Sequence, residues 1–453
     1  MIRLARLHGA APTDWMFALI LIFAMWAGGA HAAIASLPVS VAAGRLAGIP
    51  LAKPSGVAQA LSIVISGSDV GEGERQTLQE RLLAGGSVVL QIDLDAYRKA
   101  LNADNGECLY LDGELADLAQ QALKTSGTST YLRPVVIGVG EAATMAYAAL
   151  AQVPFNTFAG GISIRFANAL KTRLPFCPGA QATPLANDGG FSYGADKPLV
   201  SPARFISAAT NPDADAIAVA RPEATATVSP DWIEETVNAA LEMARDDASQ
   251  TDGLPLTVIE PAGVPKGLAV IWSGDGGWRD IDKEIGEKMA SDGYGVVGLD
   301  TLRYFWSEKD PKQFGADLAR IVARYLARWD LHDTTLVGYS FGADTLPFAW
   351  QYLPAGIQSS VRAIVLLSPE TSTGFSISVT GWLGLQSGDH DVVDAVAKLP
   401  AGKVHCLYGK DEDDSACTSP ALSKTNVLAL DGGHHFDGDY ERLARTIERF
   451  GTP

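Results

Sequence analysis

Two stretches of this chain carry the same series of elements in the same order. In the second half, "GLAVIWSG" (267–274), "YGVVGLDT", "TTLVGYS", "RAIVLLSP", "KVHCLYG" and "TNVLALDGG" are short apolar runs. Runs of this length read as strands buried on both faces of a sheet. Helical patterns lie between them. Phe314, Leu318, Ile321, Tyr325 and Trp329 fall on one helix face, and so do Tyr440, Leu443, Ile447 and Phe450. Strands alternating with amphipathic helices define an α/β fold built on a parallel sheet. The first half repeats the series. "ALSIVISGSDVG" matches "LAVIWSGDGGW", and "SVVLQIDLDAY" matches "YGVVGLDTLRY". Ser66 and Asp93 stand 207 residues before Ser273 and Asp300, and "RPVVIGVGEAATMA" sets Gly138 opposite Gly338. We read this as an internal duplication.

The copies differ where chemistry would sit. Gly140 stands opposite Ser340 and Ala142 opposite Gly342, and the first half has only His8 and His31, both within the signal. A serine–histidine pair cannot be assembled there. The expected organisation is therefore a signal peptide (1–32), a degenerate, non-catalytic α/β domain (33–250) and a catalytic α/β domain (251–453). The Pro/Gly/Ala-rich segment from Pro178 to Pro230 is expected to be the loop-rich end of the first domain.

Composition narrows the partners. Hydrophobic residues make up 47% and charged residues 19% of the chain, as in globular proteins. The formal net charge of −17 argues against nucleic acid; it would suit a cationic substrate, but solubility is its first explanation. Arg3 and Arg6, the apolar run Trp15–Ala27 and the Ala30-His31-Ala32 site form an export signal too short to span a bilayer, which needs ~20 residues. Cleavage would release the chain outside the cytoplasm, and an uncleaved membrane anchor is the alternative. Four cysteines, an even number in an exported chain, suggest two disulfides; three pairings are possible and the sequence does not choose among them, with pairing within halves (Cys108 with Cys177, Cys406 with Cys417) the expectation.

"TTLVGYSFGADTLPF" holds a G-x-S-x-G at Gly338–Gly342, between a strand and a helix pattern. That context places Ser340 on a sharp turn at the N-terminus of a helix, with its hydroxyl exposed. A serine hydroxyl needs a base, and the base needs an orienting acid. In this arrangement the chain order is serine, acid, histidine. "LALDGGHHFDGDY" puts His434, with His435 as alternative, in the loop before the last helix. His405 lies within a strand and His390 in a polar loop, and both read as structural or solvated. "KVHCLYGKDEDDSAC" offers Glu412, or else Asp413, as the acid, braced by a Cys406–Cys417 bridge. No regular ligand spacing supports a metal, and no cofactor is expected. The oxyanion donors would be the amide of Phe341 and that of Asp275 or Gly276 in "SGDGGW".

"WSGDGGWRDID", "GYSFGAD", "YGKDEDDSAC" and "GGHHFDGDY" together resemble the AcvB/VirJ family of bacterial virulence-associated α/β-hydrolases, most closely over 254–450. The signal and the degenerate front half are similar to the longer, AcvB-like members. The resemblance implies a periplasmic serine esterase that hydrolyses lysyl-phosphatidylglycerol, with Ser340 as nucleophile and His434 as base. Asp344 and Glu370 are then candidates to hold the ammonium groups of the substrate. The alternatives are a lipase or esterase of broader specificity and a non-catalytic periplasmic binding factor linked to type IV secretion.

Overall fold

The computed structural model describes residues 39–186, 189–248, 254–377 and 388–451. The expected signal peptide lies outside the described residues. Among those described, no helix is long and apolar enough to cross a membrane.

The first half forms an eight-stranded sheet: β1 (Ser40–Ala43), β2 (Leu46–Ala52), β3 (Ala60–Ser66), β4 (Ser87–Asp93), β5 (Pro134–Val139), β6 (Gly160–Ile164), β7 (Ala203–Ser207) and β8 (Ala224–Val228). Their spatial order is β1-β2-β4-β3-β5-β6-β7-β8, with β2 antiparallel to both its neighbours, β1 and β4, and every other pair parallel. The second half forms a seven-stranded sheet of β9 (Leu256–Ile259), β10 (Gly267–Trp272), β11 (Tyr294–Leu299), β12 (Thr334–Tyr339), β13 (Val361–Leu367), β14 (Val404–Gly409) and β15 (Asn426–Leu430). Its order is β9-β11-β10-β12-β13-β14-β15, with only the first strand antiparallel. Leaving out β1, the two sheets share one topology. Repeated local pattern therefore corresponds to repeated architecture.

Every residue of β10, β11 and β12 is buried, which is why these strands read as unbroken apolar runs. The helix Pro311–Trp329 starts where the Asp310 side chain accepts the amide of Lys312 and Pro311 supplies a preset φ. It buries Phe314, Leu318, Ile321 and Tyr325 on the sheet. At about 1.5–3 kcal/mol per apolar side chain, that face outweighs any propensity term.

The segment from Pro178 to Pro230 departs from the loop-rich expectation. It contributes β7, β8 and the helix Pro212–Ala220. Two short β-branched or aromatic runs, Phe205-Ile206 and Thr225–Val228, sit between its alanines and prolines, and parallel pairing of β7 to β6 and of β8 to β7 orders them.

The halves are packed against each other. One hydrophobic cluster runs through both. Lys124 Nζ donates to the carbonyl of Trp306 at 2.8 Å and lies 3.9 Å from the centre of its ring. Trp306 Nε1 donates to the carbonyl of Thr128 at 2.9 Å, and Tyr131 meets the Trp306 ring edge-on. Disulfides join Cys108 to Cys177 and Cys406 to Cys417, one in each half.

Candidate active site

Ser340 leaves β12 and opens the helix Phe341–Ala349 with φ 50° and ψ −123°, a conformation that side-chain-bearing residues rarely adopt. The turn is held because the amide of Ser340 donates to the carbonyl of Leu367 at 2.9 Å, on the neighbouring strand β13. Both flanking glycines are sterically required. A side-chain carbon on Gly338 would stand 2.6 Å from the carbonyl oxygen of Gly342, and one on Gly342 would strike the backbone of Trp272 and Ser273.

His434, in the loop after β15, brings Nε2 to 2.9 Å from Ser340 Oγ. Its Nδ1 lies 2.6 Å from Glu412 Oε1. A carboxylate can only accept, so the ring proton sits on Nδ1 and Nε2 presents its lone pair to the hydroxyl. The second oxygen of Glu412 accepts from Ser368 Oγ and from the amide of Gly409, each at 3.0 Å. Burial would push the Glu412 carboxyl up. The bonds from His434, Gly409 and Ser368 outweigh it and hold the group below its usual range. Asp413, the alternative acid, is exposed on the same loop, so the carboxylate on the histidine is Glu412. The bridge between Cys406 in β14 and Cys417 closes the segment that carries Glu412.

His435, His405 and His390 are each engaged locally. His435 Nδ1 lies 3.1 Å from the Tyr339 hydroxyl. His405 stacks on Phe450 with ring centres 3.8 Å apart, and burial lowers its pKa. His390 is exposed and stacks on Phe375.

A cleft of about 440 Å³ opens at Ser340 and His434, lined by the loop Gly274–Gly277, Arg279, Asp282, Tyr339 and Glu370. The loop passes close to the serine: a side-chain carbon on Gly274 would lie 3.6 Å from Ser340 Cβ. Asp275 and Gly276 line the cleft together with Ser340, and Phe341 follows the serine as the first residue of the helix. The Asp275 carboxyl is raised by burial and pulled back by Arg279, His434 and the amides of Gly276 and Asp275 itself.

Asp344 does not reach this cleft, which corrects the expectation that it faces a substrate. It is 4% exposed and its Oδ1 accepts the amide of Glu370 at 2.7 Å. Burial, reinforced by the Glu370 charge, pushes its pKa well above the ordinary carboxyl range. Its helix is enclosed on nearly every face, so a residue one turn after the serine points into protein. Glu370 itself lines the cleft, open to solvent on one side and packed on the other. The partial loss of water raises its pKa, with the charge of His434 opposing.

Two residues that the sequence reading did not single out complete the site. Ser368, at φ 49° after β13, donates to Glu412, and the Ser-Pro ending of "LLSP" was its only trace. Asp282, 2% exposed, accepts the amide of Gly274 at 3.4 Å and so holds the start of the loop. Among the described residues, no group of three His, Cys, Asp or Glu is placed to hold a metal.

The front half keeps the backbone of this site without its chemistry. Gly140 has φ 67° and donates to the carbonyl of Ile164, as Ser340 does to Leu367. Arg165 has φ 55° and donates to Ile206, as Ser368 does to Leu407. The carboxylate of Asp69 fills the space that a side chain on Gly140 would need. It accepts the amide of Glu141, the counterpart of Phe341, at 3.1 Å.

Residues 266–450 match the family VirJ, described as bacterial virulence protein, in agreement with the resemblance read from the sequence. No curated protein matches the chain. Among solved structures, Est1E from Butyrivibrio proteoclasticus aligns at 17% identity over 44% of this chain and 95% of its own, with a TM-score of 0.35. A putative dienelactone hydrolase from Klebsiella pneumoniae subsp. pneumoniae aligns at 18% identity over 45% of this chain and 92% of its own (TM-score 0.32). MGS-MChE2, an alpha/beta hydrolase enzyme from the metagenome of sediments of the lagoon of Mar Chica, Morocco, aligns at 13% identity over 45% and 96% (TM-score 0.34).

Proposed function

We propose that this chain, whose residues 266–450 carry the VirJ family domain, is a serine hydrolase. Its substrate in this reading is the aminoacyl ester of lysyl-phosphatidylglycerol, and its products are lysine and phosphatidylglycerol. The observation that carries the hydrolase reading is the continuous hydrogen-bonded series Ser340–His434–Glu412, at 2.9 and 2.6 Å, opening on a cleft. The resemblance supplies the lipid and the exported, periplasmic setting.

In this mechanism His434 Nε2 takes the proton of Ser340 as Oγ attacks the lysyl carbonyl. Glu412 stabilises the imidazolium that forms. The amides of Phe341 and of Asp275 or Gly276 receive the negative charge on the carbonyl oxygen, aided by the helix N-terminus. The ester C–O bond then breaks, and His434 returns the proton to the departing phosphatidylglycerol hydroxyl. Water repeats the sequence on the acyl-enzyme, giving lysine and restoring Ser340. Glu370 and Asp275, both carboxylates on the cleft, are suited to the ammonium groups of a lysyl ester, and a negatively charged rim fits a cation better than a neutral acyl chain.

The full chain incubated with lysyl-phosphatidylglycerol should release lysine, and Ser340→Ala should not. Release of fatty acid instead would select a broader lipase. Undiminished lysine release by Ser340→Ala would rule out this nucleophile and leave the binding-factor reading.

A further inference from the structure

The loop Gly274–Gly277 is anchored at its far end by Trp278, and residues of the front half grip that anchor. The indole of Trp278 is 1% exposed and lies in a slot that requires Gly298 and Gly286, since a side-chain carbon on either would meet its ring. Phe155 of the front half packs against the same cluster. Asn156, held at φ 65°, donates from Nδ2 to the carbonyl of Trp278 at 3.3 Å and accepts Nη1 of the buried Arg133 at 2.7 Å. On the other side of the same residue, the amide of Trp278 bonds to Asp300, which is 4% exposed; burial raises its pKa, and the charges of Arg303 and Arg133 oppose that shift. Gly277 leaves room for that carboxylate, which would lie 2.8 Å from a side-chain carbon there. Thus Asn156, held by Arg133, fixes the carbonyl of Trp278, Asp300 fixes its amide, and the charge of Arg133 acts on Asp300, although neither Arg133 nor Asn156 lines the cleft.

We propose that the front half is a built-in positioning element for the catalytic half, with Asn156 and Arg133 as positioning residues that set the Asp275–Gly276 amides through Trp278. This rests on the serine-hydrolase reading above. Oxyanion donors act only if they are in place before the charge develops. A displacement of about 1 Å at such a site costs up to about 100-fold in rate. A degenerate copy of the fold, unable to react, can serve this purpose by its surface alone.

The test compares the full-length wild type with Asn156→Gly and Asn156→Asp. Glycine accepts a positive φ, so the first variant removes the side chain without backbone strain. The second keeps an acceptor for Arg133 but loses the donor to Trp278. Ser340 labelling by a fluorophosphonate and kcat on a soluble nitrophenyl ester should both fall by about 10- to 100-fold in both variants. KM and the thermal midpoint should stay close to wild type. Unchanged labelling and kcat in either variant would overturn the proposal, and so would losses that follow only the unfolded fraction. A wild type that is not labelled at Ser340 would sink the serine-hydrolase reading alone. Hydrogen exchange at the amides of Gly276–Trp278 would then decide the positioning: faster exchange in both variants supports it, and unchanged exchange overturns it.

Discussion

The carboxylate of Asp69 accepts the amide of Glu141 at 3.1 Å, in the place where the second half keeps the amide of Phe341 beside a serine. The front half has thus filled its own version of the site from within. A serine restored at Gly140 should therefore create no enzyme. In a Ser340→Ala background, Gly140→Ser is expected to leave ester hydrolysis at zero. It should also lower stability by about 1–3 kcal/mol, because Gly140 has φ 67° and Asp69 occupies the added volume. Activity assays and thermal melts of the double variant check both points.

Glu412 orients His434 and stays ionised while doing so. Glu412→Gln should keep the fold but lower kcat by about 10²- to 10⁴-fold, since the amide can present the wrong group to Nδ1. The folded state holds the Glu412 pKa below its unfolded value. Its contribution to stability is therefore complete above the ordinary Glu range, near about 4.3, and is lost as pH falls through the lower folded value. Denaturant titrations at a series of acidic pH values should show a smaller acid loss in Glu412→Gln than in wild type.

Asp344 is the opposite case. Burial raises its pKa, so the folded state keeps a proton that the unfolded chain releases. Relative to Asp344→Asn, the wild type should lose stability as pH rises above about 3.9, by about 1.4 kcal/mol per pH unit until the folded group itself ionises. The asparagine can still accept the amide of Glu370, so its activity should be near wild type. Asp344→Ala, which leaves that buried amide without its partner, should cost about 1–3 kcal/mol and weaken the selectivity of the cleft. Chemical denaturation across pH tests the first claim, and competition between lysyl and neutral esters tests the second.

Glu370→Gln should lower kcat/KM for a cationic aminoacyl ester by about tenfold while leaving a neutral acyl ester of similar size nearly unaffected. Equal losses on both esters would remove Glu370 from substrate recognition. Steady-state kinetics on the paired substrates provide the comparison.

The bridge Cys406–Cys417 closes a loop with a sequence separation of 11, and both cysteines are buried. Replacing both by alanine should cost about 3 kcal/mol from the unfolded-chain entropy of so short a loop. It should also reduce kcat more than KM, because the same loop presents Glu412. Thermal melts and steady-state kinetics of the double variant separate the two effects.

What the sequence made legible was local. The strand–turn–helix around Ser340 is continuous in the chain, so its motif and glycines can be read directly. The repeated strand order followed from apolar runs that every residue of β10–β12 justifies by burial. The choice of Glu412 over Asp413 depended on a turn, closed by the amide of Glu412 on the carbonyl of Gly409, that aims one neighbour inward and the other outward. Adjacent acidic residues do not encode that orientation. Asp344 was misread because its helix is buried nearly all round, leaving no polar face to show which way a carboxylate points. The grip of Asn156 on Trp278 spans 122 residues and joins two elements without any shared period. No pattern in the chain announces such a contact.

The central claim is that Ser340 accepts the lysyl group. During turnover of lysyl-phosphatidylglycerol by the full chain, acid quench and peptide mapping should find a lysyl ester on the peptide that contains Ser340, absent in Ser340→Ala together with lysine release. A lysyl adduct on another residue, or lysine release that survives in Ser340→Ala, would contradict the account.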